Sequence, residues 1–319
     1  MRALFRQGHV AVWVALIVLI LFGALRYDNF LSAYNLSSFL GYNAMFVVIS
    51  VGMCLVIMTG GIDLSVGTVA ALASVVAALL SPHGLIVALP AGIAAGLVTG
   101  ALNVGMIVAL RLPPFMATLA TMLAAKGISL RLSDNRAVPV DWASDFTALG
   151  MNKVANLLPW TILVALVVVV VAWIIVDRTS LGRTILAVGG NAEAAHLMGL
   201  KTGRAEVFVY LFSGACAGLA GVFLASGYGA GQPLEGAGWE LAAIAAVVVG
   251  GTLLTGGMGS VPATVAGALL FGLVFTLLNF ENGRGTFSFS ADWQSVIRGL
   301  FLLIVILLQA RIARPASKS

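Results

Sequence analysis

The sequence predicts an all-α protein, a polytopic transmembrane helical bundle of about ten spans with both termini cytoplasmic. Three observations predict it. The 319 residues are 61% hydrophobic and 9% charged, with a mean hydropathy of +1.07; a soluble domain is about 45–50% apolar and about 25% charged. The apolar residues fall in runs long enough to cross a hydrocarbon core about 30 Å thick, which takes roughly 20 helical residues. The cations collect at the ends of those runs. The net charge of +5 is therefore read as membrane topology, with lipid as the partner and no nucleic acid expected.

The runs lie near 10–26, 38–59, 64–80, 85–110, 114–130, 157–176, 205–226, 240–254, 261–280 and 293–310. The first follows Arg2 and Arg6 in the manner of a signal peptide. It is long for one, though, and no small-x-small cleavage site follows, so it is read as the first span. The fifth carries Lys126, whose ammonium is expected to snorkel outward. Arg298 falls in the first turns of the last run, as an interfacial cation or the partner of an acidic residue.

An even number of spans puts both termini on one side, and positive charge selects the side. One side receives Arg2, Arg6, Arg111, Arg178, Arg183, Lys201, Arg204, Arg311, Arg314 and Lys318. The other receives Arg26, Arg131, Arg136, Lys153 and Arg284. The richer side is expected to be cytoplasmic. Trp142, Trp160, Trp239 and Trp293 fall near the predicted outer ends, and Trp13 and Trp173 near the inner ones, as interfacial anchors. No polar stretch is long enough to build a soluble core. The chain reads as a single transmembrane domain over 1–319, with its longest cytoplasmic segment at 177–204.

Chemistry-bearing constellations are scarce. Cys54 and Cys216 lie in apolar runs and read as small core residues. His9, His83 and His196 are far apart, so no metal site is expected. No G-x-x-x-x-G-K-[ST] loop, nucleophile–base arrangement or carboxylate pair is found. No cofactor and no catalytic residue are assigned, and the chain is read as a non-enzyme.

Two interruptions carry more information. Gly60-Gly61-Ile62-Asp63-Leu64-Ser65 separates two apolar runs without a proper polar loop. Asp63 or Ser65 could cap the helix that follows. Alternatively the segment is a broken or re-entrant helix lining a conduit, since irregular backbone at membrane depth is tolerated only when buried in protein or facing water. A second such segment is expected near 250–259. Residues 60–80 match 250–270 without a gap at Gly60/Gly250, Gly61/Gly251, Leu64/Leu254 and Gly67/Gly257, with Ser65 opposite Thr255. Corresponding broken segments in two halves of a chain are a transporter signature. The candidate translocation path is Gly60, Gly61, Asp63, Ser65, Gly250, Gly251 and Thr255.

In the segment 177–204, Asn191 is a good N-cap, Glu193 suits the positive end of a helix dipole and Gly199 is a good stop. A short helix at about 192–198 is predicted. Ala194, Ala195, Leu197 and Met198 would give it a smooth apolar surface, either for docking into a partner's groove or for resting on the membrane.

GGIDLSVG at 60–67, TSLGRTILAVGGNAEAAHLMGL at 179–200 and VVVGGTLLTGGMGSVPATVAGALL at 247–270 resemble the permease subunits of ribose-type bacterial ABC importers. GGTLLTGG and LLNFENG are most similar to the galactofuranose-type permease. The resemblance implies a membrane-spanning subunit that translocates a monosaccharide, galactofuranose or a related sugar, into the cytoplasm across the bacterial inner membrane. It implies three partners: a cytoplasmic ATPase subunit, a periplasmic sugar-binding protein, and a second permease in a homo- or heterodimer. Its coupling segment falls on Gly182, Ala187, Gly189, Asn191, Ala194, Ala195 and Gly199. The competing reading is an ion-coupled secondary transporter. That class needs ionisable groups within the spans, and only Asp63, Lys126 and Arg298 offer them.

Overall fold

The computed structural model describes residues 2–155 and 157–284, with Trp293, Val296, Ile297, Gly299, Leu300 and Leu303 beyond them; within the long stretches, side chains are described from Val10 to Asn282. The chain runs α1 (Arg2–Arg26), α2 (Ala33–Met58), α3 (Val66–Leu79), α4 (Leu85–Val104, prolonged by a wide turn over Gly105–Ala109), α5 (Pro114–Leu132), β1 (Val138–Pro139), α6 (Ala148–Met151), β2 (Lys153–Val154), β3 (Leu158–Pro159), α7 (Trp160–Arg178), α8 (Ser180–Gly190), α9 (Ala192–Leu197), α10 (Thr202–Tyr228), β4 (Ala230–Gly231), α11 (Trp239–Val249) and α12 (Val261–Arg284). The two-residue strands pair β1 with β4 and β2 with β3, both antiparallel.

Nine of the ten predicted runs coincide with helices; the tenth, with Arg298, lies largely outside the described residues. Helices α2, α4, α5, α7, α10 and α12 are long and apolar enough to cross a bilayer. Helix α1 counted from Val10, α3 and α11 are apolar but shorter. At ~1.5 Å per residue, α3 rises only about 21 Å and α11 about 16 Å.

Contacts between loops define two ends of the bundle. At one, Asp145 Oδ1 accepts from Leu85 N at 2.8 Å. Val140 N donates to Gly229 O at 3.1 Å, and Tyr27 Oη donates to Glu281 Oε1 at 2.7 Å. Burial and the neighbouring carboxylate push the Tyr27 hydroxyl up, so it stays a donor. At the other end, α8 packs under the C-terminus of α2 and against Gly257 in the segment before α12. Arg26, Arg131, Arg136 and Lys153 belong to the first end; Arg111, Arg178, Arg183, Lys201 and Arg204 belong to the second.

Burial sorts the helices. About three-quarters of the apolar windows of α2 and α10 are buried, 78% and 72%, against 22–28% for α4, α5 and α7. Helices α2 and α10 are therefore the axis, and α4, α5 and α7 present faces for lipid. Lys126 is exposed on the outer half of α5, where a long side chain reaches the interface.

Helices α4 and α10 meet backbone to backbone. A Cβ on Gly96 would collide with Gly214 O, and one on Gly214 would collide with Gly96 O. Gly92, Gly96 and Gly100 recur every fourth residue on α4, as do Gly214 and Gly218 on α10. Small residues at that spacing let transmembrane helices come close enough for van der Waals attraction to hold them where lipid offers no hydrophobic drive.

Trp239 departs from the expected interfacial position. It is 4% exposed and packs on Phe46 with ring centroids 5.0 Å apart. The cause is the preceding segment. Gly231 lies against Ser74, Val75 and Ala78, but Gly236 lies against Gly67, two turns deeper along α3. The chain dips into the bundle over 232–238, so α11 starts at depth and can be short.

Gly96→Leu is expected to destabilise the α4–α10 contact by about 1–3 kcal/mol through overpacking, lowering the melting temperature of the purified protein in mild detergent. Gly105→Ala, where an added Cβ meets nothing within 4 Å, should leave it unchanged.

Candidate functional site

Both predicted interruptions are real, and they close in the same way. At the end of α2, Gly60 N donates to Ile57 O (2.8 Å) and Gly61 N to Val56 O (3.2 Å). At the end of α11, Gly251 N donates to Val248 O (2.9 Å) and Thr252 N to Val247 O (3.2 Å). Each is a left-handed helix stop, with φ +83° at Gly60 and +86° at Gly251. Gly60 thus corresponds to Gly251, whereas the ungapped sequence match pairs it with Gly250. The helices that follow begin after Ser65 and Ser260, so the second interruption is four residues longer. The sequence match therefore loses structural register at the turn. Both stops lie at the same end of the bundle, so the two segments share one orientation.

The interruptions also touch each other and α8. Gly257 N donates to Met58 O at 3.0 Å. A Cβ on Gly256 would lie 2.7 Å from Gly60 N, and one on Gly60 would lie 3.4 Å from Thr255 O. Gly189 of α8 is wedged between them: a Cβ there would collide with both Met58 O and Gly257 N. Of the predicted path residues, Gly60 and Thr255 thus belong to the junction that α8 joins, and Gly251 forms the stop that ends α11. Gly250 packs instead on Ala263 and Thr264 of α12, and Gly61 lies under the Tyr210 hydroxyl.

Asp63 and Ser65 lie deeper, 1% and 2% exposed. Asp63 Oδ1 accepts from Ser65 N (3.0 Å) and Ser65 Oγ (2.6 Å), and its Oδ2 accepts from Ser213 Oγ (2.8 Å). Asn103 Nδ2 donates to Ser65 Oγ at 3.1 Å, and Asn103 Oδ1 accepts from the Thr121 hydroxyl. This network ties the interruption to α4, α5 and α10. Asp63 satisfies the free N–H of Ser65 just ahead of α3, as a cap would, but does so inside the bundle.

In the segment 177–204 the short helix expected at about 192–198 forms as α9, preceded by α8 (Ser180–Gly190), which was not expected. Asn191 Oδ1 accepts from Ala194 N at 2.9 Å and opens α9, with Glu193 in the first turn. Gly199, at φ +79°, ends it. The residues expected to couple divide into two sets. Gly182, Ala195 and Gly189 pack inward: Gly182 on the Ile175 and Val176 carbonyls, Ala195 at 1% exposure and Gly189 on the junction; Ala187 is half-buried. Asn191, Ala194 and Gly199 face solvent, beside Leu197 and Met198 at 81% and 71% exposure.

Cavities lie elsewhere, between α2 and α12, with α11 joining at the inner one. An outer one of about 760 Å³ is bounded by Tyr27, Asp28, Asn35, Ser38, Phe39, Tyr42, Asn43, Tyr228, Thr276, Asn279 and Phe280. An inner one of about 100 Å³ adds Phe46 and Ser50 of α2, Ala242 and Ala246 of α11, and Ala268, Phe271, Gly272 and Phe275 of α12. None of the predicted path residues lines either. The α2 and α12 positions recur at helical spacing, and Asn35, Ser38, Asn43 and Ser50 stand out as polar on α2, but the runs alone do not say which helix their face meets. Among the described residues no cluster of His, Cys, Asp or Glu could hold a metal ion.

A multi-pass helical bundle with interrupted helices, a polar-and-aromatic cavity and a short helix pair packed under the interruptions defines a membrane transport subunit. The chain belongs to the family described as branched-chain amino acid transport system/permease component, whose model matches residues 35–306. It is 36% identical to a ribose import permease of Haemophilus influenzae (92% of this chain, 91% of the relative). It is 33% identical to a fructose import permease of Bifidobacterium longum (94% and 89%), and 32% identical to a D-allose transport system permease of Escherichia coli (98% and 94%). No solved structure matches the chain significantly. The protein is a multi-pass permease of the bacterial inner membrane.

Gly189→Ala should lower thermal stability in detergent, because its methyl group has no space between the two interruptions. Gly190→Ala, with nothing within 4 Å, should not. Equal melting temperatures for the two variants would contradict the wedge.

Proposed function

We propose that this chain is the membrane-spanning subunit of an ATP-driven importer that carries a monosaccharide into the cytoplasm. One observation supports it above the others. The α8–α9 pair is packed through Gly189 against both helix interruptions while it presents Ala194, Leu197 and Met198 to solvent. A protein partner seated on α9 would push directly on the segments that end α2 and begin α12, the helices bounding the cavity. Nearly bare leucine and methionine on a six-residue helix suit a partner's groove.

In this reading the α8–α9 end is cytoplasmic, in keeping with Arg111, Arg178, Arg183, Lys201 and Arg204 there. The partner is a separate ATPase subunit. A periplasmic binding protein delivers sugar at the opposite end, and a second permease, identical or paralogous, completes the complex. Ribose, fructose and allose are the sugars named for the relatives, and galactofuranose is the one suggested by GGTLLTGG and LLNFENG. All four belong in the substrate screen. Asp63, the main candidate of the ion-coupled alternative, has both carboxylate oxygens held by internal hydrogen bonds.

Docking is tested at the exposed positions, since bulky changes at Gly189 or Ala195 would disturb packing. Leu197→Glu with Met198→Glu should leave the amount of chain in the membrane unchanged, yet reduce the ATPase that co-purifies from mild detergent by at least about tenfold, as for loss of a hot-spot contact. Undiminished co-purification would remove α9 from the interface. Failure of the wild-type chain to retain any ATPase, even after crosslinking in cells, together with ion-driven uptake by the chain alone in liposomes, would establish the secondary transporter.

A further inference from the structure

Resting on that transport reading, we infer that the inner pocket between α2, α11 and α12 is a substrate subsite for an uncharged polyhydroxy compound of monosaccharide size, with Ser50 and Asn43 as its hydrogen-bonding groups. The outer cavity, at about 760 Å³, is within the usual range for small-molecule sites, about 300–1,000 Å³. Its walls alternate rings with amides and hydroxyls, as in Phe39, Tyr42 and Phe280 beside Asn35, Ser38 and Asn279. Rings cover the C–H faces of a sugar, and amides and hydroxyls meet its O–H groups. Tyr42, Asn43 and Asn279 line both cavities, so the two are successive stations along one groove.

The inner station holds two polar atoms that the fold leaves unused. Ser50 is 1% exposed, and its Oγ has no hydrogen-bond partner among the described residues. Asn43 is also 1% exposed; its Nδ2 donates to Phe39 O at 2.8 Å, while its Oδ1 has no partner among them. Buried polar atoms are normally paired, and each exception needs a reason. Other unpartnered atoms exist, on Ser37, Ser129, Thr161, Tyr210 and Glu240, but none of those residues lines either cavity. Ser50 and Asn43 line the same pocket, against Phe46 and Phe271. A ligand hydroxyl can donate to either oxygen and accept from Ser50.

The same walls select against charge. No charged side chain lines the inner pocket among the described residues, and Asp28 alone does so in the outer cavity. A zwitterion such as leucine would surrender its hydration without meeting counter-charges, so the pocket chemistry separates this chain from the amino acid substrates in its family's description. Beyond Ser50 the groove is shut. Gly267 lies against Ala246 O and Gly250 against Ala263 and Thr264. Beside them Thr264 Oγ1 donates to Cys54 Sγ at 3.2 Å, all at 0% exposure. The inner pocket is therefore the last station before the closed end, and it must widen for a sugar to pass.

The test is uptake of radiolabelled D-ribose, D-allose, D-fructose, D-galactose and L-leucine by cells expressing the complete transporter, with the chain quantified in membranes. Wild type should import at least one sugar and not leucine. Ser50→Ala should raise the half-saturating concentration of that sugar about fivefold, the scale of one neutral hydrogen bond. Ser50→Leu, which fills the pocket, should cut uptake at least about tenfold at equal membrane level. Ser129→Ala on α5, which also removes an unpartnered buried hydroxyl but away from the groove, should behave as wild type. Leucine import, or a wild-type response from Ser50→Leu, would overturn the subsite. Should Ser50→Leu fail to reach the membrane, an unchanged half-saturation in Ser50→Ala would overturn it instead. If wild type imports none of the sugars, the transport reading itself fails; if it imports sugar and both Ser50 variants match it in rate and half-saturation, only the subsite fails.

Discussion

Contact of backbone with backbone at glycine is the constraint on which this bundle rests. Lipid tails solvate leucine as well as a neighbouring helix does, so apolar side chains alone give helices little reason to associate. What draws them together is close packing, and Gly96 against Gly214 brings α4 and α10 nearer than any side chain would permit. Helix α10 then serves as the post for α2 and α3, through Gly52 against Ser213 and Gly221 against Ala70. The same device recurs where Gly189 enters between Met58 and Gly257. Removing the Cβ costs backbone entropy in each helix, and the dispersion attraction of closely apposed backbones offsets it.

A second requirement follows from burying interrupted backbone. Every free N–H and C=O at a helix end must find a partner inside protein. The two stops meet it with paired turns of the same form, at Gly60 and Gly251. Ahead of α3, Asp63 supplies acceptors and is held by Ser65 and Ser213. This explains a buried carboxylate without assigning it to transport: it is a fixed joint among α3, α4, α5 and α10. The interruption at 250–260 leans on α2, α8 and α12 by backbone contact, with the buried Thr252 hydroxyl 3.7 Å from Cys54 Sγ of α2.

These two constraints place the cavities and the α8 junction on one set of helices. Helices α2 and α12 bound both cavities, α11 joins them at the inner one, and α8 presses on the end of α2 and on Gly257 ahead of α12. A displacement of α8 would reach the closed end of the groove through a handful of backbone contacts, with no long chain of side chains between. Packed cores respond to such pushes by switching arrangement more than by yielding smoothly, which is the behaviour an alternating-access cycle needs.

Much of this protein was determined by the sequence alone. Hydrophobic run length set the helices, because a bilayer imposes a minimum span. Asn191, Glu193 and Gly199 set α9, because capping is a local matter of a few residues. The interruptions at 60–65 and 250–259 were legible because paired glycines in an apolar run have few other uses. The tertiary structure decided what depended on residues distant in the chain. It showed that 232–238 descends beside α3 and buries Trp239, that Gly60 matches Gly251, and that the cavities lie on α2 and α12 instead of at the interruptions. Phe46 and Phe271 gave no signal in sequence, and Asn43 and Ser50, polar residues seven apart in an apolar run, gave one that did not say what their face encloses. They sit within runs where nearly every residue is apolar, and only the antiparallel packing of α2 on α12, with Gly272 making room for Asn43, selects which face encloses the groove.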